Sequence, residues 1–103
     1  LRWEGVVLAA DEGTPVRAIH PGRVVFADWM RGFGNLLIVD HGDQVMTLYA
    51  HLQRFETEVG SRVERGQTLG RVGVSGGRDA PGLYFEVRRG GDPIDPGGWI
   101  ARR

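Results

Sequence analysis

Three histidines, His20, His41 and His51, are the side chains that could carry metal chemistry in this 103-residue chain. A catalytic zinc needs about three nitrogen, sulfur or oxygen ligands from the protein and an open position for water. The chain has no cysteine, which excludes thiolate ligands, cysteine nucleophiles and disulfides. His20 precedes a proline in a turn and His41 falls in a hairpin loop, so we expect neither to join His51 in a metal site.

The elements that must position these residues are short strands. Glycines punctuate runs of Val, Leu, Ile, Phe and Tyr along the chain, and no stretch keeps a helical period. The clearest hairpin joins residues 35–40 to 44–50 through His41-Gly42-Asp43, where Gly42 can adopt a positive φ. Residues 22–30 are predicted to form the preceding strand. The pattern predicts an all-β fold, mainly antiparallel sheet with hairpins and little helix.

A weak internal repeat relates residues 13–25 to residues 60–70, each reading as turn, short strand, turn, strand. Biotinyl and lipoyl carrier barrels contain similar hairpins, but they present a lysine at a hairpin tip. All 13 basic residues of this chain are arginines. A carrier function and lysine Schiff-base chemistry are therefore excluded.

The last long strand is predicted over residues 82–88, where apolar residues at 83, 85 and 87 alternate with Tyr84, Glu86 and Arg88. Period-two geometry places the apolar set in the core and the other set on the outward face. For Glu86, pairing with an arginine on the sheet surface is the simplest interpretation. Beyond the strand, Trp99-Ile100 is expected to cap the core.

Length and charge indicate one domain that recognises its partners locally. The chain suffices for a single modest core, and its formal net charge is zero. No net field draws it to nucleic acid or to an anionic membrane, and no apolar run is long enough for direct membrane insertion. The chain opens at Leu1 without a signal-peptide pattern, so we expect it to start within a longer protein.

Several segments, in order and spacing over nearly the whole chain, resemble the LytM-type, lysostaphin-like zinc metallopeptidases, which cut peptide cross-links in peptidoglycan. The segments are Gly5–Ala10, Gly13–Val16, Asp40–Gly42, Tyr49–Leu52, Val63–Gln67 and Leu83–Arg88. The resemblance implies the LytM fold for a single domain over residues 1–103.

Active members of that family hold zinc with the His and Asp of an HxxxD motif and the second His of an HxH motif. The resemblance places Trp3 and Val7 at the HxxxD positions, and Gly82 and Tyr84 at the HxH positions. Trp and Val offer no donor and a neutral tyrosine is a poor one. Of the family's two further catalytic histidines, only His51 is retained. We therefore predict a degenerate domain with no metal, no cofactor and no catalytic residue.

The former active site should persist as a relined groove, because residues 3 and 7 share one face of an extended segment, as do residues 82 and 84. Aromatic residues and arginine are enriched at protein-binding hot spots. We expect His51 to be a hydrogen-bonded remnant of the site. The predicted partner-binding groove consists of Trp3, Val7, Phe33, Tyr49, His51, Tyr84, Glu86 and Arg88.

Within the family, five segments look like the degenerate domain of the EnvC-type murein hydrolase activators: Trp3–Gly5, Ala27–Trp29, Arg31–Gly34, Ser75–Gly77 and Pro81–Arg89. That resemblance implies a C-terminal domain, after a coiled coil, that activates periplasmic N-acetylmuramoyl-L-alanine amidases during daughter-cell separation. It also implies an upstream autoinhibitory segment that covers the groove and, through it, a membrane complex at the division site.

Two alternatives stay open on the sequence. One is an active peptidoglycan endopeptidase with atypical metal ligands. The segment Tyr49–Leu52 looks more like the active peptidases, which leaves the subfamily open but restores no metal ligand. The other is a binding module that recognises the glycan or stem peptide through the aromatic groove. Peptidoglycan is therefore a second candidate partner beside the amidase.

Overall fold

The computed structural model describes residues 5–99. Apart from one turn of 3-10 helix, the regular elements in this range are strands, which confirms the predicted all-β, antiparallel fold. The elements are β1 Val6–Ala9, β2 Pro15–Arg17, β3 Gly22–Met30, β4 Gly34–Gly42, β5 Val45–Phe55, β6 Arg62–Val63, β7 Thr68–Val72, β8 Gly82–Arg89, β9 Asp92–Ile94 and the 3-10 turn Pro96–Gly98.

One antiparallel sheet contains all of these strands. The main path runs β1-β8-β5-β4-β3-β6, β7 joins β2 to β5, and β9 pairs with β8. The strands of the two halves of the internal repeat pair with each other: β2 of the first half pairs with β7 of the second, and β3 of the first half pairs with β6 of the second. No helix within residues 5–99 is long and apolar enough to cross a membrane.

The predicted hairpin is present as β4 and β5, with its tight turn at Asp43-Gln44 and not over residues 41–43 as expected. Asp43 and Gln44 occupy the turn with φ of 52° and 65°, and Gly42 has φ of 88°. Two positive φ values are what a two-residue hairpin turn of type I′ requires. His41 therefore lies in β4, at a break in register between Asp40 and Gly42, and the prediction that it is a turn residue is wrong.

The central strands have apolar clusters on both faces of the sheet. The main core includes Leu37, Val39 and Phe85, and Trp99 packs partly against it as predicted, while Ile100 lies outside the described residues. The opposite face carries a second cluster, formed by Leu36, Leu48 and Ala50 with Phe26, Phe33, Ile38 and Tyr84 packed around it.

These two clusters decide where the predicted groove residues lie. Phe85 and Val87 are buried in the main core and Leu83 packs against it, as the alternation predicts. Tyr49, in contrast, is 0% exposed in the main core, because β5 places it beside Phe85 while Ala50 lies beside Tyr84. Tyr49 therefore does not line a groove on the Tyr84 side of the sheet.

Candidate functional site

The site is organised around Tyr84, on the face of the sheet opposite the main core. Val7 on β1 and Ala50 on β5 are the Cα partners of Tyr84 on either side of β8. Directly opposed residues of an antiparallel pair point to the same face, so Val7 lies beside the tyrosine, and it is 49% exposed. Trp3, the other predicted residue of the amino-terminal segment, lies outside the described residues.

Tyr84 is fixed by hydrogen bonds at its hydroxyl and by aromatic contacts at its ring. The hydroxyl accepts a hydrogen bond from the Gly5 amide at 3.0 Å and donates one to Glu86 Oε1 at 3.0 Å. The ring centroid is 5.8 Å from that of Phe33 and 6.2 Å from that of His51. A Cβ on Gly5 would be 2.3 Å from Tyr84 Cζ, so the backbone just before β1 can lie against the ring because residue 5 is glycine.

Glu86 continues this array towards Arg88. Its Oε2 accepts a hydrogen bond from Arg88 Nε at 2.7 Å. The predicted pairing with an arginine is therefore present, but the acid is 2% exposed and not on the sheet surface. Sequence alternation placed Glu86 away from the main core but gave no sign of the second cluster on that side. The Arg88 side chain is 38% exposed.

His51 is held in one orientation by two contacts with neighbouring loops. Its amide donates to the Phe33 carbonyl at 2.8 Å, and its Nδ1 lies 2.8 Å from the Ser75 carbonyl oxygen. A carbonyl can only accept, so Nδ1 carries the proton in this contact. The residue has φ of 63°, a backbone conformation that non-glycine residues adopt rarely. The expectation of a hydrogen-bonded His51 is confirmed.

The two loops that contact His51, one ending at Gly34 and the other containing Ser75 and Gly76, are in close backbone contact with each other. A Cβ on Gly34 would be 2.5 Å from Ser75 Oγ, and one on Gly76 would be 2.6 Å from the Gly34 amide nitrogen. Ser75 Oγ also donates to the Leu52 carbonyl at 2.7 Å and accepts from the Asn35 amide at 3.0 Å. This packing holds Phe33 against Tyr84. We call the surface formed by Val7, Phe33, His51, Tyr84 and Arg88 the Tyr84 surface.

One residue at the edge of this surface was not predicted from the sequence. Arg78 Nη2 lies 3.3 Å from where a Cβ on Gly82 would stand, beside Val7 Cγ1 at 3.2 Å. The Arg78 Nε donates to the Ala80 carbonyl at 3.1 Å, which folds the side chain back over its own loop. The guanidinium therefore covers Gly82, the residue that the family resemblance placed at the first position of the HxH motif. An arginine in a glycine-rich loop gives no sequence signal of that placement.

The donor set of the Tyr84 surface does not fit a zinc ion. Val7 has no donor atom, and the Tyr84 hydroxyl is already bonded to Gly5 and Glu86. Within residues 5–99, no three His, Cys, Asp or Glu residues come close enough together to hold a metal. The chemistry of these residues suits a contact with another molecule through apolar, aromatic and guanidinium groups.

The other two histidines lie together, away from His51, and His41 is partly buried and linked to the core residue Tyr49 through Thr47. The ring centroids of His20 and His41 are 6.1 Å apart. His41 Nδ1 is 2.9 Å from the Pro21 carbonyl oxygen and its Nε2 is 2.7 Å from Thr47 Oγ1, which in turn is 2.9 Å from the Tyr49 hydroxyl. Burial lowers the pKa of His41 and raises the pKa of Tyr49 to about 12. This polar chain is structural and does not reach the Tyr84 surface.

The family model and the similar proteins point to the same protein family. The family model described as Peptidase family M23 matches residues 2–96. The chain is similar to the murein hydrolase activator EnvC of Escherichia coli strain K12, with 48% identity over 102 residues that cover 99% of this chain and 24% of that protein. It is also similar to the DD-carboxypeptidase/endopeptidase Mpg of Neisseria meningitidis serogroup B, with 40% identity over 92 residues, 89% of this chain and 21% of that protein.

A solved structure shows the same likeness in three dimensions. The catalytic domain of the antimicrobial peptidase lysostaphin from Staphylococcus simulans superposes with a TM-score of 0.86 and 33% identity, covering 92% of this chain and 76% of that one. The chain spans about a quarter or less of the length of the two curated relatives. These relatives include one protein named as an activator and two named as peptidases.

Proposed function

This chain belongs to peptidase family M23, and from that premise we propose that it is a non-catalytic member that binds and activates a cell-wall N-acetylmuramoyl-L-alanine amidase. The Tyr84 surface is the binding site in this proposal. Contact with it shifts the amidase from a blocked to an open state, which requires tighter binding to the open state.

The observation that carries the proposal is the replacement of metal-binding chemistry by internal hydrogen bonds. Tyr84 stands where the family resemblance expects a zinc-binding histidine, and its hydroxyl joins Gly5 to the buried Glu86. Around this fixed tyrosine lie Val7, half exposed, and the partly exposed Arg88. An aromatic and arginine surface with apolar neighbours is the composition of a protein-binding hot spot.

The similarity to the protein named murein hydrolase activator EnvC supports activation over catalysis. Because the chain spans 24% of that relative, the context of the whole protein is part of the proposal. We place the domain in the periplasm at the division site, at the carboxyl-terminal end of a longer protein. An upstream coiled coil and autoinhibitory segment then cover the Tyr84 surface until a membrane complex at the septum releases it.

A dye-release assay tests the proposal. The purified 103-residue domain is mixed with an amidase of the same organism and dye-labelled peptidoglycan, and we expect faster dye release than with the amidase alone. A folded domain that neither binds the amidase nor accelerates dye release would contradict the proposal. Two controls separate the alternatives: cleavage by the domain without amidase would indicate an endopeptidase, and pelleting of the domain with insoluble peptidoglycan would indicate a binding module.

A further inference from the structure

Glu86 is a buried acid placed between two residues of the Tyr84 surface. Residues 84, 86 and 88 share one face of β8, and successive residues on that face are roughly 7 Å apart. Each carboxylate oxygen of Glu86 has its own donor: Oε1 accepts from the Tyr84 hydroxyl at 3.0 Å and Oε2 accepts from Arg88 Nε at 2.7 Å. With 2% of its surface exposed, Glu86 itself offers almost nothing to a partner.

The two groups that Glu86 holds are those that can reach a partner. Arg88 is bound through its Nε edge, and 38% of its side chain remains exposed. The Tyr84 hydroxyl accepts a hydrogen bond from Gly5 and donates one to Glu86, so the ring of this partly exposed residue is held in one orientation beside Phe33. A side chain ordered before binding loses less conformational entropy when it is immobilised in a complex.

We propose that Glu86 is a positioning residue that orders Tyr84 and Arg88 for partner recognition and makes no contact with the partner itself. The inference rests on the proposed function, since it assigns a role within the same amidase-binding surface. It replaces the sequence-based expectation that Glu86 lines the groove. Because a guanidinium only donates hydrogen bonds, the partner presents an acceptor opposite Arg88.

The substitution Glu86→Gln tests this role with little change in volume. The amide has one acceptor oxygen and one NH₂ group, so it can accept from Tyr84 or from Arg88 but places a donor against the other. We expect affinity for the amidase to fall about tenfold. The matched control is Glu64→Gln, which makes the same change in an exposed pair where Glu64 lies 3.5 Å from Arg62; its affinity should equal that of the wild type.

A double-mutant cycle separates positioning from general damage. In a Y84F/R88A background the two groups that Glu86 orders are already removed, so E86Q should cause no further loss of affinity. A tenfold loss that persists in this background would overturn the inference, as would full affinity of E86Q in the wild-type background. If E86Q does not fold, Glu86→Asp replaces it, because the shorter acid cannot reach both donors and should give the same loss and the same cycle.

A second readout does not depend on the amidase. In nitrogen-15 NMR spectra the Arg88 Nε–Hε signal should be resolved and protected from exchange in the wild type, and should move to the position of solvated arginines in a folded Glu86→Ala variant, which removes both acceptor oxygens. An unchanged Arg88 signal in Glu86→Ala would overturn the inference. If the wild-type domain fails to bind the amidase while the Arg88 signal behaves as expected, the proposed function fails and the ordering by Glu86 stands.

Discussion

The Tyr84 hydroxyl donates a hydrogen bond to the carboxylate of Glu86 at 3.0 Å, on a strand where the LytM pattern expects zinc-binding histidine. The family resemblance assigns this position to a zinc ligand, and in this chain the bond makes it part of an internal polar array. Because Glu86 is buried, the array is shielded from competing water, which strengthens its hydrogen bonds. The array holds Tyr84 and Arg88 through hydrogen bonds to the same buried carboxylate.

Charge introduced into the apolar part of the Tyr84 surface should abolish amidase activation. Val7→Glu places a carboxylate beside Tyr84, its cross-strand partner, where an apolar partner group is expected to pack. We expect the dissociation constant for the amidase to rise about 30-fold or more, as at a hot spot, with little change in melting temperature. Val25→Glu is the control, since Val25 is also an exposed strand valine at 40% but does not belong to the Tyr84 surface. Equal effects of the two substitutions in a binding titration would contradict the proposal that the amidase binds at the Tyr84 surface.

A methyl group at residue 5 should displace Tyr84. The Cβ of Gly5→Ala would come within 2.3 Å of Tyr84 Cζ, so β1 or the ring must move and the hydrogen bond from the residue 5 amide is broken. Overpacking of this kind costs roughly 1–3 kcal/mol, which chemical denaturation should detect together with reduced amidase stimulation. Gly98→Ala has open space at its Cβ and should leave both quantities unchanged. A fully stable and active Gly5→Ala variant would show that this contact does not fix Tyr84.

Acidification should destabilise the domain through His41. Burial is the largest cause that lowers the pKa of His41 from its usual 6.5, with a smaller contribution from the nearby His20, while the Pro21 carbonyl and Asp40 act in the opposite direction. The unfolded chain then binds a proton more readily than the folded chain, so the free energy of unfolding decreases as pH falls through 6.5 and below. Above that pH the His41 side chain is neutral in both the folded and the unfolded chain, so acidification has not yet reduced the free energy of unfolding.

Urea denaturation of the wild type between about pH 5 and pH 8 measures this dependence. In His41→Gln the slope over the acid part of the range should flatten, because the titrating group is gone. His20→Gln should retain most of the slope, since His20 is an exposed neighbour of the partly buried His41 ring. A wild-type stability that is constant through this range, or that rises on acidification, would contradict the assignment.

Introducing the family's motif residues should create a zinc site, because the two strands to which the resemblance assigns those residues are paired in the structure. Val7 and Tyr84 are cross-strand partners, so Val7→Asp and Tyr84→His would place a carboxylate and an imidazole side by side. Combined with Trp3→His, this variant has three protein ligands for zinc. We expect elemental analysis to find zinc bound to the triple variant. The double variant without Trp3→His should bind zinc more weakly. A folded triple variant that binds no zinc would argue against retention of the site geometry.

The sequence by itself determined the all-β fold, the β4–β5 hairpin, the strand over residues 22–30 and the loss of ligand-type side chains. These features are local: strand periodicity, glycine at turns and residue type at motif positions can each be read without knowledge of the chain path. Alternation along β8 also placed Phe85 and Val87 correctly in the main core.

Only the tertiary structure decided what covers each face and which side chains meet. Alternation separates the two sides of a strand, but burial on each side depends on distant segments. Glu86 is therefore buried beneath a second apolar cluster, and Tyr49 lies in the main core and not on the Tyr84 surface. Arg78 reaches Gly82 through a loop, and a break in register moves His41 from the turn into β4. The physical reason is common to these cases, since contacts between residues far apart in sequence are set by the path of the chain and leave no periodic signal in it.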